Sequence, residues 1–201
     1  QSRYAEHILE HGQPPPSVFK FCKEHDLEER AFYDVFPGFP AVEAAIWADL
    51  VDRTRKVLEA DPDFSGYPSQ QKILAFFYTF LEQALDHRSF MLARFPGVKP
   101  LDRALGRMVC RYRDLAESWL QEGVESGEIA KRGRLNKTYQ HALGFHLLLV
   151  IDFWLKDESS QFQRTDAYIE KTVRLVGELM RTQAADATVD LVRFLTGMRK
   201  S

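Results

Sequence analysis

The stretch Ser17-Val18-Phe19-Lys20-Phe21-Cys22-Lys23, followed by Leu27 and by Ala31-Phe32-Tyr33-Asp34-Val35-Phe36, decides how this chain folds. Ser17 is placed to cap a helix, since its hydroxyl can accept an early amide N–H. The helix it opens runs to about His25, with Val18, Phe19 and Cys22 expected on its inner side. A tight turn at Asp26-Leu27-Glu28 leads into another short helix over about 28–36, which Pro37-Gly38 ends because neither residue continues a helix readily. Phe19, Leu27, Phe32 and Phe36 are expected to close a small core between two steeply crossed helices. In front, Tyr4, Ile8 and Leu9 mark a helix over about 2–11 that stops at Gly12, and Pro14-Pro15-Pro16 bridges to Ser17. Behind, Val42, Ile46, Leu50, Val51 and Leu58 give helical period over about 40–60.

The clearest break is 61–68, where Asp61-Pro62-Asp63 and Ser65-Gly66-Tyr67-Pro68 collect turn formers. Beyond it helices are expected over about 69–87, 88–95, 101–126, 136–157, 163–181 and 184–198. No run alternates with the period of a strand, so the fold class is all-α. We divide the chain into a helical unit at 1–45 and a larger helical body at 46–201. Within 136–157 the chain is apolar nearly all round from Phe145 to Leu155, and such a helix needs cover on every side. A second copy is the simplest cover, which makes a homodimer the expectation. Its interface is expected at Phe145, Leu148, Ile151, Asp152, Leu155, Val173, Val176 and Met180.

Charge limits the function classes. Across 201 residues, 27 Lys and Arg face 29 Asp and Glu, a net charge of −2, so no global positive field announces nucleic acid. The longest apolar run is too short to span a membrane. With no signal-peptide pattern at its start and two widely separated cysteines, Cys22 and Cys110, the chain is expected in the cytoplasm. Catalysis finds no motif: there is no phosphate-binding glycine loop, nucleophile elbow or metalloprotease helix, and we expect no enzyme and no cofactor. His7 and His11 share a helix face but lack a third ligand nearby, so no metal is expected.

Helix, short second helix, tight turn and a third helix ending in Phe-Tyr-x-x-Phe, here Phe32-Tyr33 and Phe36, resemble the helix-turn-helix of the TetR repressor family over about Tyr4 to Leu50. The resemblance implies a ligand-responsive transcriptional regulator, dimeric, whose body binds a small hydrophobic molecule or lipid and whose third helix meets operator DNA. It assigns DNA contact to Ser17, Lys20, Arg30, Ala31 and Tyr33, with Tyr33 in the position that commonly touches a phosphate. The third helix departs from the pattern. It carries Glu28, Glu29 and Asp34, and from Lys20 to Phe36 three basic residues stand against five acidic ones. Since DNA affinity comes largely from neutralising phosphates, such a helix implies weakened binding. The alternative is a lipid-binding or hydrophobic-ligand-binding protein on the same scaffold that has given up DNA.

Within the body, Phe76, Phe77, Phe80, Phe90, Met108, Tyr112, Trp119 and Tyr139 either line a ligand cavity or fill the core. His146 is a satisfied structural histidine or an anchor for a ligand or interface, and Asp152 is spaced to pair with Lys156. Arg103, Arg107 and Arg111, with Lys99 and Arg113, form a basic helix face, and Lys131, Arg132, Arg134 and Lys137 a basic loop. Each is a solvated surface or a docking site for an acidic partner or anionic headgroups.

Overall fold

In a computed structural model, residues 1–99, 102–129 and 135–181 are described, with side chains except those of 135–141 and 179–181. The last predicted helix at 184–198, the loop residues Lys131, Arg132 and Arg134, and the side chains of Lys137, Tyr139 and Met180 lie outside the described residues. Everything regular within the described residues is helical, in keeping with the all-α expectation.

Three short helices come first: α1 (Ser2–His11), α2 (Val18–Glu24) and α3 (Glu29–Val35). Gly12 ends α1 with φ 70° and returns its N–H to the Ile8 carbonyl, a left-handed turn that suits glycine. The Lys20 amide donates to Ser17 Oγ at 3.2 Å, as expected of the cap. The turn before α3 closes when the Leu27 N–H donates to the Cys22 carbonyl. Next, α4 (Phe39–Glu59) begins with Pro40 in its first turn, where a missing N–H costs nothing.

Phe19 and Leu27 do not join the small core predicted for them. Phe19 is 60% exposed and Leu27 40% exposed, while Phe21 is buried. Residues two apart on a helix project to nearly opposite sides, so Phe19 and Phe21 cannot both face inward. Phe21 wins because it meets Phe32 and Phe39 edge-on, with ring centroids 6.4 and 5.4 Å apart, and Phe39 in turn stacks on Tyr4.

The body comprises α5 (Ser69–Leu85), α6 (Arg88–Arg94), α7 (Arg103–Glu125), α8 (Leu135–Lys156) and α9 (Gln163–Arg181). Asp102 sets the start of α7, two residues later than the apolar pattern suggests, by accepting the amides of Ala104 and Leu105. Asp157 organises the entry to α9, accepting from Ser159 N–H, Thr165 N–H and the Thr165 hydroxyl. Those donors hold its carboxyl well below the usual carboxylate range against the opposing effect of burial.

The long α4 joins front to body. It packs on α5 and α7, while α7 reaches α8 and α5 reaches α9. Arg111 on α7 pairs with Asp52 on α4, so one member of the predicted basic face is tied down; Arg103 and Arg107 stay exposed. At the front of this joint α1 rests on α6. There Arg94 forks onto the buried Glu43 carboxylate, Nε to Oε1 at 3.1 Å and Nη2 to Oε2 at 3.0 Å, and the Tyr4 hydroxyl donates to the same Oε2. One carboxylate therefore links α1, α4 and α6.

Candidate functional site

Five of the aromatic residues expected around a ligand come together between α5 and α7. Phe76 is the hub, its ring 5.7 Å from Phe77, 5.6 Å from Phe80, 4.5 Å from Tyr112 and 6.0 Å from Trp119. Their spacing of three and four residues along α5 brings Phe76, Phe77 and Phe80 onto one inner side. All of them are buried, as are Met108 and Phe90. Phe90 belongs to another neighbourhood, packing against Trp47 of α4 at 6.0 Å.

Two polar groups in this apolar centre stand without a partner among the described residues: the Tyr112 hydroxyl and His146 Nδ1. Both rings pack on Phe77, at 5.9 and 4.9 Å. Burial raises the Tyr112 hydroxyl pKa, so it stays protonated. Burial also lowers the His146 pKa to about 4, which keeps the imidazole neutral at physiological pH. His146 Nε2 lies 2.7 Å from Thr172 Oγ1, and the Thr172 hydroxyl is also within reach of the Tyr168 and Ile169 carbonyls, at 2.8 and 3.2 Å. When that hydroxyl donates to a carbonyl, its oxygen accepts from Nε2 and Nδ1 is an acceptor; when it donates to Nε2, Nδ1 carries the proton. One ring nitrogen of His146 is thus satisfied, and Nδ1 has no partner among the described residues.

The expected interface residues divide by burial. Leu148, Ile151, Leu155 and Val173 are buried within the protomer. Phe145 is 43% exposed, Val176 is half-buried, and Asp152 pairs with Lys156 Nζ at 2.7 Å as its spacing predicts. Sequence reasoning did not single out Leu149 and Phe153, which continue the outer side together with Tyr168 and Leu175. Leu149 and Phe153 share the Phe145–Asp152 side of α8, Tyr168 stacks flat on Phe153 at 4.5 Å, and Leu175 is 55% exposed. The signal for them was the Asp152–Lys156 pair. In a helix apolar all round, the charged residues mark the side that meets solvent, and Phe145 and Leu149 fall on it by steps of three and four.

At the opposite end, Lys20, Arg30, Ala31 and Tyr33 are exposed, Tyr33 at 51%. Ser17 is half-buried with its hydroxyl engaged in the α2 cap. Glu28, Glu29 and Asp34 are exposed beside them, so the acidic character predicted for α3 is displayed at the surface. His7 and His11 stack on each other, centroids 4.2 Å apart, beside Phe21.

Among the described residues the chain is all-helical, with three short helices ahead of an aromatic-cored body. Residues 72–195, more than half of the chain, match the family model described as tetracyclin repressor-like, C-terminal domain. The chain belongs to the TetR family of transcriptional regulators. No curated protein matched the sequence. No helix among the described residues is long and apolar enough to cross a membrane.

Proposed function

We propose that the protein is a ligand-responsive regulator that works as a homodimer, with residues 1–45 contacting operator DNA and 46–201 binding a hydrophobic small molecule or lipid. The observation that carries the ligand part is the pair of buried, unmatched polar groups, Tyr112 hydroxyl and His146 Nδ1, whose rings both pack on Phe77. A buried polar group without a partner costs free energy, and a ligand that supplies the partner recovers it. The surrounding rings select an apolar skeleton, and the two polar groups select a neutral one with a hydroxyl or similar donor–acceptor group. Dimerisation uses the Phe145, Leu149, Phe153, Tyr168 and Leu175 side of α8 and α9, with Val176 at its edge. Response follows by linkage: a ligand that favours one arrangement of α5 and α7 shifts α4, which carries the front unit, and so changes the affinity for DNA. Contact with DNA falls to Lys20, Arg30, Ala31 and Tyr33, with Ser17 holding the start of α2.

The acidic surface of α3 favours the second reading, a hydrophobic-ligand carrier on the same scaffold without DNA binding. Native mass spectrometry of the purified protein tests the ligand site common to both. An apolar, neutral molecule retained by the wild type and lost in both Tyr112→Phe and His146→Gln supports it. A molecule retained equally by all three proteins, or none in any of them after incubation with a hydroxylated aromatic such as 1-naphthol, refutes it.

A further inference from the structure

We propose that the cleft between α4 and α7, at the C-terminal end of α4, binds an apolar α-amino acid through both of its charged groups. The cleft has a volume of about 420 Å³. Arg55, Leu58 and Glu59 reach it from the last turns of α4, Lys72 from the first turn of α5, and Trp119 and Glu122 from α7. Leu58, Phe64, Leu115 and Trp119 make its apolar wall, the Phe64 and Trp119 rings meeting edge-on at 5.9 Å. Trp119 also packs on Phe76 at 6.0 Å, so it stands between the cleft and the aromatic centre of the body.

Lys72 is 4% exposed, and a lysine is rarely so buried unless its charge is met. Its ammonium carries three donors. It pairs with Glu122 Oε2, and Nζ lies 5.7 Å from the centre of the Phe64 ring. The Glu122 side chain is 54% exposed and meets Lys72 through one oxygen, which leaves Oε1 to accept another donor. At the rim Arg55 Nε lies 3.7 Å from Glu59 Oε1, with both side chains about half exposed. The ionic lining is thus two cations and two carboxylates. A plain anion gains Lys72 but meets Glu122 and Glu59, and a plain cation meets Lys72 and Arg55. A zwitterion avoids both penalties. Its carboxylate accepts from the spare Lys72 donors, its ammonium donates to Glu122 Oε1, and the Lys72–Glu122 pair is kept. An α-amino acid holds those two charges on one carbon, with a side chain beside them for the Leu58, Phe64 and Trp119 wall to cover. This ligand is charged at both ends, unlike the uncharged one selected by Tyr112 and His146, and its site stands on the cleft lining whichever function the scaffold serves.

Isothermal titration calorimetry of the full chain with L-phenylalanine tests the site. L-phenylalaninamide, which lacks the carboxylate, and hydrocinnamate, which lacks the ammonium, are the controls. Saturable heat is expected for L-phenylalanine, and each control should bind at least about tenfold more weakly for want of one charge-assisted hydrogen bond. Glu122→Gln should weaken L-phenylalanine about tenfold and leave hydrocinnamate no weaker. Ser118→Trp, which fills the cleft from an exposed position, should abolish binding. Leu92→Ala, exposed on α6, should leave it unchanged. Circular dichroism verifies that each variant is folded. Absence of saturation with L-phenylalanine and L-leucine overturns the proposal. So does equal binding of hydrocinnamate or of the amide, which would make the cleft a site for a plain anion or cation. Binding that survives both Glu122→Gln and Ser118→Trp also overturns it, since the amino acid would then sit elsewhere in the molecule.

Discussion

Acidification from about pH 7 to pH 5 should destabilise this protein through His146 in particular. The imidazole is buried, 6% exposed, and burial lowers its pKa from 6.5 to about 4. In the unfolded chain it takes up a proton near its ordinary value, while in the folded protein it resists until the pH reaches the lower one. Stability contributed by the neutral form is therefore complete above about pH 6.5 and lost progressively as the pH falls toward 4. At about 1.4 kcal/mol per pKa unit, the loss is about 2 kcal/mol at pH 5 and about 3 kcal/mol at pH 4. Urea denaturation of the wild type and of His146→Gln, at closely spaced pH values, isolates this contribution. Glutamine preserves a donor toward Thr172 but cannot titrate, so the variant should lose about 2 kcal/mol less than the wild type between pH 7 and 5. Parallel stability curves for the two proteins over that interval would refute the buried neutral imidazole.

Three further outcomes follow from other parts of the molecule. Arg94→Ala should cost about 2–4 kcal/mol in urea denaturation, because it strands the buried Glu43 carboxylate; Glu43→Gln should cost less, since the Arg94 guanidinium, 29% exposed, can turn to water. Asp157→Ala should cost about 1–2 kcal/mol at neutral pH through loss of the α9 cap. The folded pKa of Asp157 is lowered, so that difference is complete above the ordinary carboxylate value near pH 4 and shrinks as the pH falls further. Phe145→Glu should shift the sedimentation of the protein from dimer toward monomer without changing its helical circular dichroism, because Phe145 is 43% exposed in the protomer.

The helices were legible in the sequence wherever the chain punctuates itself. Gly12, Ser17, Pro37-Gly38 and the turn formers at 61–68 each mark a boundary that the structure keeps to within a residue or two. The Asp152–Lys156 pair and the inward set on α5 were equally readable, because spacing by three and four leaves one choice of side. The failures share a physical cause, an excess of apolar residues that removes the contrast between sides. Phe19 and Phe21 compete for one inward direction on a seven-residue helix, and only the tertiary fit against Phe32 and Phe39 decides. In α8 the buried Leu148, Ile151 and Leu155 are no more apolar than the outward Phe145 and Leu149, so hydrophobic periodicity alone cannot set its rotation. The hydrogen-bond partner of His146, Thr172, lies 26 residues away in the sequence and meets it only on folding. The Glu43 carboxylate that joins three helices had no local signal, being one acidic residue among 29.

Titration of the full chain with mixed-sequence duplex DNA, monitored by anisotropy over a salt series from about 50 to 200 mM, bears most directly on the regulator function. Binding that falls steeply with salt, and that weakens further in Arg30→Ala and Tyr33→Phe, is the predicted result. Absence of binding at about 50 mM salt, with the protein folded and dimeric, would contradict it and leave the hydrophobic-ligand carrier as the function of this scaffold.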